Sequence, residues 1–228
     1  ISTRDWSSDV CSSDLSRNVP VFGQLFFNPE NERPCVPIEE TLTVLQELIE
    51  EGKIRYIGVS NESSWGVSEF IYCAQTMNLP RIVSIQNGYH LANRAFESGL
   101  DETCYRENVG MLAYSPLAFG QLTGKYIDNP QSKGRLTHFP PTWSPRYLRP
   151  LVIEATKRYM TLAKDNGMSP TQLALAWCYT RWFIASTIIG ATSIEQLKYD
   201  IDAYSIKLSD EIVKEVNAIH AEFMNPGQ

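Results

Sequence analysis

The chain has 228 residues and a mass of 25.8 kDa, which is enough for one sizeable domain. Hydrophobic residues make up 43% and charged residues 20%, as is typical of a soluble globular protein, and no apolar run approaches the roughly 18 residues of a membrane span. The net charge of -6 and the pI of about 5.2 argue against nucleic acid as a partner, because phosphate binding needs clustered lysine and arginine.

Residues 1–15, ISTRDWSSDVCSSDL, show the apolar period of neither a strand nor a helix, so local chemistry predicts no fold for them. They also lack the basic start and the apolar stretch of a signal peptide. After a connector over residues 28–37, the segment PIEETLTVLQELIEEGK predicts a helix that begins at Pro37 and ends before Gly52. The β-branched segment IRYIGVSN then predicts a strand.

The same helix and strand unit recurs along the rest of the chain. Short apolar strands that alternate with helices predict right-handed crossovers and a parallel sheet, and therefore an α/β fold. Four strand–helix units are predicted, half the number in a closed (β/α)₈ barrel. The elements after the first strand are a helix over 64–77, the strand RIVSIQ, a helix over 96–107, the strand GMLAYS, a loop over 119–145, helices over 148–166 and 170–180, the strand ASTIIG, and helices from Ser193 and from Asp210.

The cysteines and histidines predict no metal site. The cysteines are odd in number and widely spaced, without a C-x-x-C pair: Cys11, Cys35, Cys73, Cys104 and Cys178. This pattern favours free thiols in the reducing cytoplasm. His90, His138 and His220 have no carboxylate or cysteine at ligand spacing, so we interpret them as surface or core histidines.

Polar or aromatic residues follow each predicted strand, where parallel α/β folds bind their ligands. Ser60 and Asn61 could bond a carboxamide, although asparagine is also a common turn residue. Gln86 could bond a planar amide or serve as a core amide, and Tyr114 could stack on a ring or simply pack. The strand-end pattern alone leaves these alternatives open.

Two further segments are candidates for phosphate binding. In GATSIEQLKYD, Ser193 and Gln196 fit a Ser-x-x-Gln capping box, so the helix N-terminus could receive a phosphate or could be an ordinary helix start. GQLTGKYI offers two glycines and Lys125 after a strand, without the spacing of a P-loop. Both segments predict a phosphate-bearing ligand only weakly.

Four segments together resemble the aldo/keto reductases, within them the branch with the potassium-channel β-subunits and similar bacterial reductases. The segments are GKIRYIGVSN, IQNGYHLANR, LAYSPLAFGQLTGKY and STIIGATSIEQLKYDIDA, and the resemblance runs from about Ile38 to about His220. It implies a (β/α)₈ TIM barrel that binds NADPH without a Rossmann domain. The chain then corresponds to the C-terminal half of that barrel.

The resemblance also implies roles for individual residues. Ser60, Asn61 and Gln86 match the positions that hold the nicotinamide carboxamide, and Tyr114 matches the aromatic residue that stacks on the nicotinamide ring. The pyrophosphate loop and its neighbourhood match Ser115, Leu117, Ala118, Lys125 and Arg135. The segment that meets the adenosine and its 2′-phosphate matches Gly190, Ala191, Thr192, Gln196 and Asp200.

The adenosine segment departs from the family pattern. Many members place Lys-Ser and an arginine around the 2′-phosphate, where this chain has Gly190, Ala191 and Gln196, and Asp200 replaces a common asparagine. Fewer positive charges weaken the case for NADP over NAD, because arginine or lysine usually selects the extra phosphate. The branch of the family favours NADP as the cofactor, and NAD stays open.

The resemblance implies hydride transfer between the nicotinamide and a small aldehyde or ketone. In the family a tyrosine donates the proton, helped by lysine, aspartate and histidine, and all four come from the first half of the barrel. We therefore expect no catalytic residue here, a non-native or disordered segment over 1–15, and a truncated, nearly inactive reductase domain over 16–228. The alternatives are a non-catalytic module that binds or senses the cofactor, and an incomplete barrel that is insoluble or molten.

Overall fold

A computed structural model describes residues 27–31 and 34–228, so the expectations for residues 1–15 and for Cys11 lie outside the described residues. The described helices and strands, in chain order, are α1 (Ile38–Glu50), β1 (Ile57–Ser60), α2 (Ser64–Met77), β2 (Ile82–Gly88), α3 (Leu100–Arg106), β3 (Gly110–Tyr114), α4 (Lys125–Asp128), α5 (Arg135–His138), α6 (Pro150–Asp165), α7 (Pro170–Tyr179), β4 (Ile184–Ile188), α8 (Ile194–Asp202) and α9 (Asp210–Glu222).

The four strands form one sheet in the order β1-β2-β3-β4, which confirms the predicted α/β class with four parallel strands. Strand β1 is parallel to β2, and the register pairs Ser60 with Gln86. The described residues divide into two compact units. The first unit holds residues 27–31, 34–87 and 97–112, and the second holds residues 88–96 and 113–228.

The first unit packs α2 against its two neighbouring helices, α1 and α3. Helix α2 begins where predicted because the Ser63 hydroxyl accepts the Gly66 N–H at 3.1 Å, and it ends at Asn78, whose left-handed φ of 54° stops the helix. Helix α1 buries only Leu42 completely, so it lies on the surface of this unit. The predicted bounds of α2 are confirmed, and α1 begins one residue later than predicted because Pro37 is its N-cap.

One helix start differs from the prediction. The helix expected over 96–107 begins at Leu100, and residues Ala95–Glu97 form a separate 3-10 turn. The reason is Gly99, whose φ of 108° breaks helical geometry and which caps α3 instead. The predicted loop over 119–145 likewise contains the short helices α4 and α5, which its glycines and prolines concealed.

The second unit is built around α7, whose residues 173–178 are all buried. Ser169 and Gln172 form a reciprocal capping box at its start, with Pro170 in the first turn. The Trp177 ring is completely buried, and its Nε1–H donates to the Tyr89 hydroxyl at 3.1 Å. The guanidinium carbons of Arg94 and Arg181 lie 4.7 and 3.9 Å from the Trp177 ring centroid.

His90 lies in the core of the second unit with no exposed surface, as one of the two interpretations predicted. Its Nδ1 accepts the Ala92 N–H at 3.2 Å, and its ring is 5.6 Å from that of Tyr147. Burial and, secondarily, the nearby positive charge of Arg146 lower the pKa of His90 from 6.5 to about 3. The side chain of His90 is therefore neutral in the folded unit above about pH 3.

We expect His90 to make the free energy of unfolding depend on pH. Its pKa is about 3 when folded and 6.5 when unfolded, so below pH 6.5 the unfolded chain binds a proton that the folded chain does not. Stability is therefore lost as the pH falls from about 6.5 towards 3, by about 1.4 kcal/mol per pH unit near pH 5. Urea unfolding at several pH values checks this.

The matched variant is His90→Asn, whose side-chain oxygen can still accept the Ala92 N–H. Carboxylates contribute acid sensitivity of the same sign in both proteins, so the quantity to compare is the slope of unfolding free energy against pH. The slope between pH 6 and 4 should be shallower in the variant by about one proton's worth. Equal slopes in the wild type and in His90→Asn would contradict the conclusion that His90 is buried in its neutral form.

Of the cysteines in the described part of the chain, Cys35 is exposed, Cys73, Cys104 and Cys178 are buried, and all four are free thiols as predicted. Burial raises the pKa of Cys104 and of Cys178 to about 12, so these two thiols stay protonated. Across residues 27–31 and 34–228 there is no cluster of three or more metal-binding side chains. In the same residues, no helix is long and apolar enough to cross a bilayer.

Candidate functional site

In the first unit, the ends of β1 and β2 bring Ser60, Asn61 and Gln86 together. The Ser60 hydroxyl donates to the Gln86 carbonyl oxygen at 3.0 Å, and the Asn61 N–H donates to the same oxygen at 3.0 Å. Because the Ser60 hydroxyl donates to Gln86, its proton is engaged within the protein, and the residue is only 3% exposed. Asn61 has a φ of 54°, which is the turn conformation that its alternative interpretation predicted.

The residues that follow this pair support the same strand ends. The Asn87 side-chain amide lies 3.5 Å from the Glu62 carbonyl oxygen, so it can link the two loops weakly. Glu62 is 5% exposed, and its carboxylate fills the space that a β-carbon on Gly66 would occupy. The first turn of α2 therefore packs directly on the residue after Asn61.

In the second unit, the tip of the Tyr114 side chain lies close to Gly88. A β-carbon built on Gly88 would lie 3.2 to 3.3 Å from two ring carbons and the hydroxyl oxygen of Tyr114, closer than ordinary van der Waals contact. The Tyr114 hydroxyl is hydrogen-bonded to the Arg146 side chain and to the Gly88 backbone. Burial raises the pKa of Tyr114 to about 12 against the opposing effect of the Arg146 charge, so the ring is a neutral phenol held in place.

The loop after Tyr114 has an unusual backbone. Ser115, Ala118 and Phe119 have left-handed φ values of 56°, 48° and 57°, a conformation that costs about 1–2 kcal/mol for each non-glycine residue. Leu117 precedes Ala118 with a φ of -100° and a ψ of 12°. A right-handed residue followed by a left-handed one turns successive N–H groups towards a common concavity that suits anions. In this loop the Ala118 N–H already donates to the Ser115 carbonyl oxygen at 2.8 Å. Backbone of this kind clusters at ligand sites.

Two cations lie on the same loop. The Lys125 ammonium is 3.3 Å from the Lys133 carbonyl oxygen, and the Arg135 guanidinium carbon is 4.3 Å from the Phe119 ring centroid. The Tyr126 hydroxyl, which donates to the Phe119 carbonyl at 3.3 Å and accepts the Leu136 N–H at 3.3 Å, ties α4 and α5 to the loop. The structure thus gathers the predicted residues from Ser115 to Arg135 into one connected segment.

The adenosine segment differs in one bond from the predicted capping box. The Ser193 hydroxyl accepts the Gln196 N–H at 3.2 Å, as expected. The reciprocal bond is wrong in the prediction: the Gln196 side-chain oxygen accepts from the N–H and the hydroxyl of Thr192, each at 2.9 Å, rather than from Ser193. Thr192 offers two donors to the Gln196 side chain, which therefore bonds Thr192 instead of the following residue, Ser193.

The remaining residues of this segment lie apart from those hydrogen bonds. Gly190 and Ala191 are exposed, and a β-carbon on Gly190 would meet no atom within 4 Å. Asp200 is only 5% exposed, burial raises its pKa, and its backbone carbonyl accepts the Tyr179 hydroxyl at 3.0 Å. Asp200 therefore packs towards α7, whereas Gln196 on the same helix is exposed.

Sequence reasoning missed Arg146 and Tyr147, which lie just beyond the predicted loop. Tyr147 is 1% exposed, its hydroxyl accepts from Arg146 Nη2 at 3.0 Å, and it is also bonded to the Ser115 side chain. Its ring centroid is 4.8 Å from that of Phe119. The one available signal was an arginine and an aromatic residue side by side in a segment rich in proline, SPRYL.

Comparison with known proteins places these residues in a wider context. The sequence model of the aldo/keto reductase family matches residues 24–221. The chain is 42% identical over 206 residues to the protein tas of Escherichia coli (strain K12), covering 90% of this chain and 59% of that protein. It is 38% identical over 215 residues to an aldo-keto reductase of Babesia bovis, covering 90% and 75%.

A third relative is the putative voltage-gated potassium channel subunit beta of Schizosaccharomyces pombe (strain 972 / ATCC 24843). It is 31% identical over 192 residues, which cover 82% of this chain and 56% of that protein. The chain therefore spans less than two thirds of the length of tas and of the channel subunit.

Proposed function

Because this chain belongs to the aldo/keto reductase family, as its motifs predicted, we propose that it is the cofactor-binding part of an NADP-dependent reductase of small aldehydes or ketones. The observation that supports this most directly is the loop from Ser115 to Arg135. Its left-handed backbone and its two cations suit a diphosphate, and it follows directly on an aromatic ring that is held in place.

The residues present fit a nicotinamide dinucleotide. Within the first unit, Gln86 offers a side-chain amide for the carboxamide, and Ser60 offers its hydroxyl lone pairs since its proton is engaged. Within the second unit, Tyr114 offers a flat neutral ring, and Lys125 and Arg135 offer positive charge. Such a cofactor supplies the hydride that reduces a carbonyl carbon. These residues bind and orient, and none of them is assigned the proton transfer.

We propose NADP rather than NAD on the branch of the family alone. The segment from Gly190 to Asp200 has a single cation, Lys198, to bind a 2′-phosphate, and of its two acidic residues Asp200 is buried whereas Glu195 is exposed. The N–H and the hydroxyl of Thr192 both donate to Gln196, so this segment offers that phosphate the N-terminus of α8 rather than Thr192. We therefore expect a modest preference for NADP.

The four strand–helix units correspond, in this proposal, to the second half of a (β/α)₈ barrel in the cytoplasm. By the resemblance, the proton-donating tyrosine and its lysine, aspartate and histidine belong to the other half of the family fold. The 228-residue chain assayed alone should then show almost no turnover, because general acid catalysis contributes about 10²–10⁴-fold to the rate.

A binding measurement tests the proposal without relying on turnover. Titration of the chain with NADPH and with NADH, followed by nicotinamide fluorescence, should show saturable binding that is tighter for NADPH. Lys125→Met should weaken NADPH binding about tenfold or more, because a charge-assisted bond to phosphate is lost. Lys157→Met, at an exposed lysine of α6, is the matched control and should bind as the wild type does. Saturable binding of neither nucleotide would refute the proposal.

The second candidate is a module that binds the cofactor without turnover. The similarity to a channel subunit beta is the observation in its favour. The chain alone cannot distinguish the two candidates, because both predict almost no turnover by it. The test therefore uses a protein in which this chain is joined to the other half of the family fold, in a single-turnover mixture with NADPH and excess aldehyde, monitored at the nicotinamide absorbance. Tight NADPH binding without oxidation in that protein would favour the module over the reductase.

A further inference from the structure

Arg146 occupies a position that no part of the proposed function uses. Arg146 is half-buried and lies near the end of the segment that joins β3 to α6. Its side chain lies between the phenols of Tyr147 and Tyr114. Its Nη2 donates to the Tyr147 hydroxyl at 3.0 Å, and its side chain is also hydrogen-bonded to the Tyr114 hydroxyl. One guanidinium therefore holds two phenols.

Both phenols connect to other parts of the candidate site. The tip of the Tyr114 side chain lies close to Gly88, so its hydrogen bonds and the adjacent glycine restrict how the ring can move. The Tyr147 hydroxyl is bonded to Ser115, and its ring packs edge-on against Phe119 at a centroid distance of 4.8 Å. The opposite end of this chain of contacts is Arg135, whose guanidinium carbon is 4.3 Å from the Phe119 ring centroid.

The chemistry of this contact chain suits arginine in particular. A guanidinium is planar and presents several donors in a rigid fork, so one side chain can bond two hydroxyls while its face contacts an aromatic ring. The Arg146 guanidinium carbon is 4.8 Å from the Tyr147 ring centroid, which adds this ring contact. A lysine carries the same charge on a flexible stem and lacks the fork.

We propose that Arg146 is a positioning residue of the cofactor site: it holds the Tyr114 ring in the plane on which the nicotinamide stacks and, through Tyr147, ties that ring to the diphosphate loop. The inference rests on the proposed function, since it assigns Tyr114 and the loop to the same cofactor. Arg146 lies outside the four segments that carry the family resemblance, and its proposed role has a specific consequence. Loss of Arg146 should act first on the nicotinamide end of the ligand.

The test compares two ligands on the same protein. NADPH carries the nicotinamide, and 2′-phospho-ADP-ribose carries the adenosine and diphosphate without it. Arg146→Met should raise the dissociation constant for NADPH about tenfold and change that for 2′-phospho-ADP-ribose less than threefold, measured by calorimetry. Arg146→Lys should resemble Arg146→Met, because charge without the fork cannot hold both hydroxyls.

Arg149→Met is the matched control, since this exposed arginine lies in the same segment and is bonded at 3.4 Å to the carbonyl of Gln228. It should leave both dissociation constants within twofold of the wild type. Tyr147→Phe removes one hydroxyl and keeps the ring, so it provides a milder variant if Arg146→Met lacks a cooperative thermal transition. It should weaken NADPH binding in the same direction.

The outcomes separate the two proposals. Wild-type chain that binds neither ligand would refute the proposed function itself. If the wild-type chain binds both ligands, two results for Arg146→Met would overturn the positioning role and leave the proposed function in place. One is unchanged NADPH binding, and the other is an equal loss of affinity for NADPH and for 2′-phospho-ADP-ribose. A loss confined to NADPH in Arg146→Met, Arg146→Lys and Tyr147→Phe would support it.

Discussion

Gly88→Ala is expected to raise the dissociation constant for the nicotinamide cofactor about tenfold. A β-carbon at this position would lie 3.2 Å from Tyr114 Cε2 and 3.3 Å from its Cζ and hydroxyl oxygen, so the ring must move by a few tenths of an ångström. Aromatic stacking contributes about 0.5–1.5 kcal/mol, and about 1.4 kcal/mol corresponds to tenfold in affinity. Fluorescence titration with NADPH measures the change.

A matched variant and a double variant sharpen this test. Val83→Ala alters an exposed residue of the same strand and should leave the affinity unchanged. Tyr114→Leu removes the ring, so adding Gly88→Ala in that background should have little further effect. Additive losses from Gly88→Ala and Tyr114→Leu would show that the glycine acts through the strand rather than through the ring.

Trp177→Ala is expected to lower the free energy of unfolding of the second unit by about 3–5 kcal/mol. The ring has no exposed surface, bonds the Tyr89 hydroxyl, and has guanidinium groups within 5 Å of its centroid, at Arg94 and Arg181. Truncation leaves a cavity and a buried hydroxyl that has lost its donor. Urea unfolding followed by circular dichroism measures the loss.

Two further variants separate the contributions at Trp177. Trp177→Phe keeps most of the ring and removes the N–H, so its loss should be smaller than that of alanine. Trp182→Ala removes a neighbouring tryptophan that is 65% exposed and should cost less than about 1 kcal/mol. Equal effects of Trp177→Ala and Trp182→Ala would contradict the assignment of Trp177 to the centre of this core.

The elements that local chemistry could predict were those with their own signals. Helices α2, α7 and α8 begin after Ser63, Ser169 and Ser193, whose hydroxyls accept an N–H three residues on. The strands were recognisable as short apolar runs, and their parallel arrangement followed from the alternation with helices. The predicted start of α3 was wrong because Gly99 has a left-handed φ, and this φ is set by the turn of the chain rather than by the residues that follow.

The candidate site was predictable in part for the same reason. Ser60, Gln86 and Tyr114 follow strands, so their place in the sequence already puts them at strand ends. The use of the Ser60 proton by the Gln86 carbonyl was not predictable, since the two residues are 26 positions apart. The bond between Thr192 and Gln196 was missed although it is local, because the sequence pattern does not tell whether the Gln196 oxygen accepts from Ser193 or from Thr192.

The sequence by itself determined the alternation of strands and helices, the helix caps, the family and the residues at the strand ends, because these depend on near neighbours and on recognisable motifs. Only the tertiary structure decided that Arg146 lies between two phenols, that Gly88 lies close to the tip of the Tyr114 side chain, and that His90 and Trp177 are buried. The physical reason is that burial, pKa and hydrogen-bond choice arise from contacts between residues far apart in the chain, which no local pattern encodes.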